Sequence, residues 1–266
     1  MEATGIYGES LANFLYQSNI YISIVNPTKI KGFGTSMLAR TKTDKSDAKL
    51  IAHFCKVMSP FAWQPISQER KELQSLCRRL EDLQKILRQE YNQLEAALSV
   101  SVKKSINTVI KCLEAQIEEI KQSIKEKINQ DPKLRDKKCL LETIPGIGEA
   151  TIIQILSFIN IEDFKSVKQL CAFIGLNPKQ RQSGTSVNGR SRISKMGNSS
   201  LRKILYFPAI SAKKYNPIIR VFCECLKVAG KSPMVIICAV MRKLIHIIYG
   251  VLKSEKTFDA SLAIVK

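Results

Sequence analysis

The sequence predicts an α/β segment at the N-terminus followed by a mostly α-helical remainder. Three observations carry this. The first sixty residues run through helix-like, strand-like and helix-like apolar patterns. The middle repeats leucine every seven residues, and the C-terminal half places helical periods around a glycine turn and a long basic interval. The expected domains are residues 1–62, 63–131 and 132–266.

Taken in order, "GESLANFLYQSN" (8–19) reads as a short helix with Leu11, Phe14 and Leu15 on one side. "IYISIVNP" (20–27) reads as a buried strand closed by Asn-Pro, and "TKIKGFGTSMLARTKT" as a polar loop. A helix then spans residues 44–58, with Leu50, Ile51, Phe54 and Val57 as its apolar face. One strand cannot make a sheet, so its partners are expected before Met1 or in another chain.

Asp44 and Asp47 stand three apart, on one side of a first helical turn. Asp44 can be the N-cap, and acids there favour the helix dipole. The same pair can hold a hard cation such as Mg²⁺, which takes carboxylates and substrate phosphate; Glu2 is the further carboxylate at hand. Both readings stay open on the residues alone.

In the middle, Leu73, Leu80, Leu87 and Leu94 recur every seven residues, with Leu76, Leu83 and Ala97 between them and Glu90 interrupting. Ile106, Ile110, Leu113, Ile117, Ile120 and Ile124 form a second series. The pattern predicts two long amphipathic helices in a coiled-coil stalk, either an intramolecular hairpin, a contact between subunits, or both.

"LLETIPGIGEATIIQIL" (140–156) has helix–hairpin–helix form, with the second helix expected to start near Glu149. Gly146 and Gly148 would let backbone amides approach a phosphate. Residues 173–205 follow as a long loop rich in Gly, Ser, Asn and Arg, a composition that favours function over idleness. Ser183 stands in "RQSGT" beside Arg181; it can bind phosphate, attack it, or be a plain turn serine. Residues 204–253 read as helical and apolar, with His246 in the core.

Charge identifies a class of partner. The chain has 42 Lys and Arg against 23 Asp and Glu, a net +19, in 266 residues of which 45% are hydrophobic. Residues 165–231 hold 14 basic side chains and one acid, Glu224. That balance predicts a polyanion, with nucleic acid ahead of an anionic membrane. The candidate contacts are Lys42, Lys45, Gly146, Gly148, Lys179, Arg181, Arg190, Arg192, Lys195 and Arg202. No apolar run is expected to reach the roughly 20 residues of a spanning helix, and the N-terminus "MEATGIYGES" lacks signal-peptide order. Eight cysteines without a CxxC pair predict reduced, mostly buried thiols in a cytoplasmic protein.

As a set, "EATGIYGESLANFL", "VNPTKIKGF", "TKTDKSDAKLIA", "IPGIGEATIIQIL" and "FIGLNPKQRQSG…ISKMGNSSLRKIL" closely resemble insertion-sequence transposases of the one-hundred-and-ten family, which are related to the Piv-type DNA invertases. The resemblance implies an N-terminal RuvC-like domain of RNase H type, in which four acids (Asp, Glu, Asp, Asp) bind Mg²⁺. The second, third and fourth fall on Glu2, Asp44 and Asp47. It implies a coiled-coil stalk and a C-terminal transposase domain whose serine nucleophile falls on Ser183.

The function implied is strand exchange on DNA by serine attack on a phosphodiester, guided by a structured RNA. It would act in a dimer or dimer-based tetramer in which the metal site of one subunit works with the serine of another. The implied location is the nucleoid of a prokaryotic cell. The family's first Asp would lie upstream of Met1, so an N-terminal truncation is expected, with loss of the first strands and one ligand. Two alternatives accompany this reading: a catalytically inactive remnant that still binds nucleic acid, and a RuvC-like junction nuclease without the serine step.

Overall fold

The structure is a computed structural model that describes residues 1–3, 8–38, 43–183 and 187–261; the side chains of residues 181–183, 187, 188, 190 and 191 also lie outside the description. The chain divides into two compact units, Met1–Gln68 and Glu69–Lys266.

The first unit holds α1 (Glu9–Gln17), α2 (Pro27–Ser36) and α3 (Asp44–Met58). The strand expected at 20–27 does not form. Val25 makes a single parallel bridge with Glu2, in which Val25 N donates to Met1 O and Ala3 N to Val25 O, each at 3.0 Å. A strand needs a ladder along its length, and here residues 1–3 pair with the segment at one bridge while residues 60–63 add a single backbone bond, Trp63 N to Ile22 O at 2.7 Å. Ile22, Ser23 and Val25 are nonetheless buried. Part of the expected loop is helix α2. The Asn26 side chain accepts from Thr28 N at 2.8 Å and Pro27 takes the first turn, so Asn-Pro starts a helix here instead of only ending a strand.

Helix α3 has the bounds read from the sequence. Phe54 is buried with Val25 and Ile30, and Leu50, Ile51, Cys55 and Phe33 pack on them. That cluster stops short of Val57, which is exposed against expectation. Leu11 and Phe14 of α1 are also exposed, and Ala12 is its buried residue.

The second unit begins with α4 (Gln68–Ala96) and α5 (Val100–Gln130). They fold back on one another within the chain: Glu72 pairs with Lys127, and Tyr91 Oη donates to Glu114 at 2.6 Å. Leu73, Cys77 and Leu83 of α4 are buried, as are Ile106, Ile110, Ile117, Ile124 and Ile128 of α5. The lower parts of both helices join one apolar core with the C-terminal helices.

Then come α6 (Pro132–Glu142), α7 (Glu149–Phe158), α8 (Val167–Ile174), the antiparallel strands β1 (Pro178–Ser183) and β2 (Val187–Ile193), α9 (Ser199–Ile204), α10 (Tyr206–Tyr215), α11 (Pro217–Val228) and α12 (Pro233–Ser254). The long loop expected at 173–205 is therefore a hairpin followed by a short helix. Its strands lack apolar alternation because backbone pairing holds them, not a buried face.

Helix α12 is long and apolar enough to cross a membrane by length and composition, with mean hydropathy 2.0 over an 18-residue window. Arg242 and Lys243 interrupt its apolar run but not the helix, so a helix of spanning length forms where the sequence shows only shorter apolar runs. Here α12 is the central core helix, burying Ile236, Val240, Leu244, Ile245 and Ile248. His246 is half-buried beside them; burial, with Arg242 and Lys243 nearby, holds its imidazolium form below the usual range. The cysteines are free thiols, but Cys112, Cys139 and Cys225 are exposed, so the expectation of mostly buried thiols fails where helix faces turn outward.

Candidate active site and nucleic-acid interface

The start of α3 assigns its N-cap to a residue other than Asp44. Thr43 is the N-cap: Ser46 N donates to Thr43 Oγ1 at 3.2 Å, and Thr43 N donates to Ser46 Oγ at 2.8 Å. This reciprocal box satisfies the helix end, and Asp44 is not the cap. Asp44 is exposed and Asp47 half-buried on the first turn, where negative charge suits the dipole. Two carboxylates on one turn are hard oxygen donors of the kind Mg²⁺ accepts together with substrate phosphate, so the donor set fits the ion. Glu2 lies at the bridge to Val25, and among the described residues no three acids, histidines or cysteines gather into one ligand group. Lys45 is exposed on the same turn; Lys42 lies outside the described residues.

In the second unit the hairpin concentrates charge. Its register sets Lys179 opposite Arg192, Arg181 opposite Gly189, and Ser183 opposite Val187 at the closed end. An irregularity between Lys179 and Arg181 interrupts the alternation of faces. Lys179 and Arg192 are both exposed. Like charges directly opposite in a ladder destabilise it, and an anion lying against this pair would offset that repulsion. The side chains of Arg181, Ser183 and Arg190 lie outside the described residues, although their backbone belongs to β1 and β2.

A clasp of backbone contacts fixes the open end of the hairpin. Ser194 N donates to Asn177 O at 2.8 Å, Lys195 N to Gly175 O at 3.2 Å, and Asn198 N to Phe173 O at 2.9 Å. Gly197 has φ +142°, and a Cβ there would stand 2.2 Å from Phe173 O, so only glycine fits. Arg202 Nη1 donates to Ile174 O at 2.7 Å and to Gly197 O at 3.2 Å. Arg202, read from sequence as a contact to nucleic acid, therefore has its guanidinium engaged in holding this clasp. Lys195 follows β2 and is exposed; burial pushes the Cys238 thiol up, and the Lys195 charge partly offsets this.

The turn at 143–148 uses its two glycines differently. Gly146 has φ +96°, and a Cβ there would meet Ala212 Cα at 2.5 Å; its hydrogen side chain lets the turn lie against α10. Asn216, fully buried, donates to Pro145 O at 3.3 Å while its Oδ1 caps α11 through Ile218 N and Ile219 N. Gly148 is exposed with open space around it, at the N-cap of α7. Lys125 and Lys138 stand 3.7 Å and 3.9 Å from Glu149 in the first turn of that helix.

Sequence reading missed one set of contacts altogether. Arg70, Gln74, Cys77 and Glu81 recur along one face of α4 and meet two serines of the C-terminal half. Arg70 Nε and Gln74 Nε2 donate to Ser157 O at 3.3 Å and 3.0 Å. Cys77 Sγ is 3.1 Å from Ser157 Oγ. Ser200 Oγ donates to both carboxylate oxygens of Glu81, at 3.0 Å and 2.8 Å. The spacing 70, 74, 77, 81 is a heptad stripe in polar residues, a signal masked by the leucine stripe beside it.

Comparison with known proteins bears on both halves of the chain. The family model described as "Transposase IS116/IS110/IS902 family" matches residues 138–224, and a model for DEDD transposases of the IS110 type matches residues 1–102. A pilin gene-inverting protein of Moraxella bovis is 37% identical over 262 residues, which are 97% of this chain and 81% of that protein. The protein of the same description from Moraxella lacunata matches equally. A transposase for insertion sequence element IS1111A from Coxiella burnetii is 26% identical over 234 residues, covering 77% of this chain and 63% of the relative.

Proposed function

The chain belongs to the IS116/IS110/IS902 family of transposases, and from that premise we propose that it exchanges DNA strands through covalent attack by Ser183. The Ser183 hydroxyl oxygen, on losing its proton, bonds to the phosphorus of a DNA phosphodiester. The bond to one sugar oxygen breaks, and that oxygen leaves with its strand. Attack by another strand's hydroxyl on the resulting phosphoserine restores the diester and frees the serine, so the linkage conserves the bond energy for rejoining.

One observation carries the reading. The hairpin bearing Ser183 sets Lys179 directly against Arg192, an arrangement that a phosphate backbone would turn from repulsive to favourable. With Arg181, Arg190 and Lys195 on the same hairpin or at its base, it brings positive charge around the strand to be cut. Asp44 and Asp47, with Glu2, would hold Mg²⁺, which supplies neutralising charge at the phosphate. Lys42 and Lys45 would contact the backbone beside them, and the exposed Gly148 amide, at the N-terminus of α7, would meet a phosphate oxygen. The proposal includes a structured guide RNA and a dimer-based assembly, as the family resemblance implies.

The experiment is an inversion or excision assay in cells carrying the matching element, with Ser183→Ala, Lys179→Ala and Arg192→Ala variants. Loss of exchange in Ser183→Ala with DNA binding retained supports the reading; exchange that survives in Ser183→Ala rejects it. A second reading, nucleic-acid binding without chemistry, is favoured by the separation of Glu2 from a common ligand group with Asp44 and Asp47 among the described residues. It predicts that the wild-type chain binds DNA in the same cells and exchanges none.

A further inference from the structure

We propose that the α10–α11 corner is a second nucleic-acid contact, one that stacks unpaired bases. The proposal deepens the reading above and rests on it only in that the chain handles nucleic acid.

The aromatic content of this corner is exposed. Phe207 is 76% exposed and Tyr215 is 62% exposed. Phe207, Ile210 and Lys214 recur at i, i+3 and i+7 of α10, so they share one helical face, and all three are exposed. The Lys214 ammonium lies 5.2 Å from the Tyr215 ring centroid, which brings that ring to the same face. Tyr206 meets Phe207 edge-on at 5.5 Å. An exposed aromatic ring beside a cation is the chemistry by which proteins hold single strands without reading sequence: each base offers a π-face, and the cations track the backbone.

The surrounding charge agrees. Residues 206–231 hold five basic side chains and one acid, Glu224. Glu224 bonds to Lys227 at 2.9 Å, with Lys213 and Arg220 also close enough to hold its carboxyl below the usual range. The one acid is thus surrounded by cations. A second copy of this chain would bring its own net +19 toward this basic corner, whereas a nucleic acid brings the opposite charge.

The opposite, buried side of α10 anchors the corner on the turn that sequence reading singles out for phosphate. Asn216, which joins α10 to α11, donates to Pro145 O, and Ala212 packs against Gly146. Strand exchange creates unpaired bases, and a stacking surface would keep them from closing back.

The test uses the full chain, fluorescence anisotropy, and labelled single-stranded DNA, single-stranded RNA and duplex DNA over a range of salt. Phe207→Ala with Tyr215→Ala should weaken single-strand binding by about 5-fold or more. The dependence of affinity on salt should not change, because no cation is removed. Lys214→Ala should lower the salt slope by about 0.7 for a single strand. Duplex binding should change little in the aromatic double variant. Both rings are exposed, so its thermal melting should match wild type.

Unchanged single-strand affinity in the double variant overturns the proposal, as does an equal loss on single strands and duplex, or no single-strand binding by wild type. A fall in sedimentation mass without a fall in affinity also overturns it, in favour of a second copy as the occupant. The DNA and RNA arms identify which single strand is preferred. Failure here, with Ser183→Ala still blocking exchange, removes only this corner; exchange surviving in Ser183→Ala removes the nucleophile and leaves the corner standing.

Discussion

Thr43 and Ser46 close a reciprocal cap at the start of α3, each side chain accepting the other's backbone N–H, at 3.2 Å and 2.8 Å. Capping therefore falls to Thr43 and not to Asp44, and the two aspartates keep only the dipole contribution of first-turn acids. Thr43→Ala should lower unfolding free energy by about 1 kcal/mol. Asp47→Asn should cost less than about 1 kcal/mol, the dipole contribution alone, and yet abolish strand exchange. Urea unfolding beside an exchange assay separates the two; a large stability loss in Asp47→Asn would return the residue to a structural role.

Gly146 and Gly148 should respond in opposite ways to the same substitution. Gly146→Ala places a methyl within 2.5 Å of the Ala212 backbone at a positive φ, and should destabilise by about 2–4 kcal/mol. Gly148→Ala meets open space and should cost below about 1 kcal/mol. Equal effects in thermal melting would contradict the packing of this turn on α10.

The polar stripe on α4 predicts a measurable join between the long helices and the C-terminal half. Ser200→Ala removes the hydroxyl proton shared between both oxygens of a half-buried Glu81 carboxylate, and should lower unfolding free energy by about 1–2 kcal/mol. A urea midpoint equal to wild type would show that the contact contributes nothing.

Cys77 gives a pH-dependent prediction. Burial pushes its thiol up to about 11, with Ser157 lowering and Glu81 raising it. In the unfolded chain the thiol titrates near its ordinary 9.0, so between that value and about 11 the unfolded state loses a proton that the folded state keeps. The contribution is therefore full below 9.0 and falls as pH rises through this window. Alkylation of the native protein near about pH 8 followed by mass spectrometry should modify Cys112, Cys139 and Cys225 and spare Cys77. Rapid labelling of Cys77 would contradict its burial.

Sequence reading reached the elements whose signals are local. Helix α3 begins at Asp44 as expected, since polar residues precede an apolar period, and the leucine and isoleucine series mark α4 and α5 because each buries a stripe. It failed where pairing or packing from elsewhere decides. The segment at 20–27 has strand composition but gains only one bridge, to residues 1–3, and one backbone bond from Trp63, and the basic hairpin has strand geometry without strand composition. The position of Ser183 at the closed end of β1 was legible as a turn serine between polar neighbours, whereas the clasp beneath it was not. Arg202 holds Ile174 O and Gly197 O across 28 and five residues, and nothing in a basic stretch distinguishes such an arginine from one that meets phosphate.

The central claim is that Ser183 becomes covalently bonded to DNA, and one measurement addresses it directly. Protein from cells undergoing exchange is denatured, treated with nuclease and digested with trypsin, which releases residues 182–190 ("QSGTSVNGR") as one peptide. Mass spectrometry then locates any nucleotide remnant. The account predicts a phosphodiester-linked nucleotide on Ser183, absent from Asp47→Asn. A nucleotide on Ser186 or on another peptide, or exchange with residues 182–190 unmodified, would contradict it.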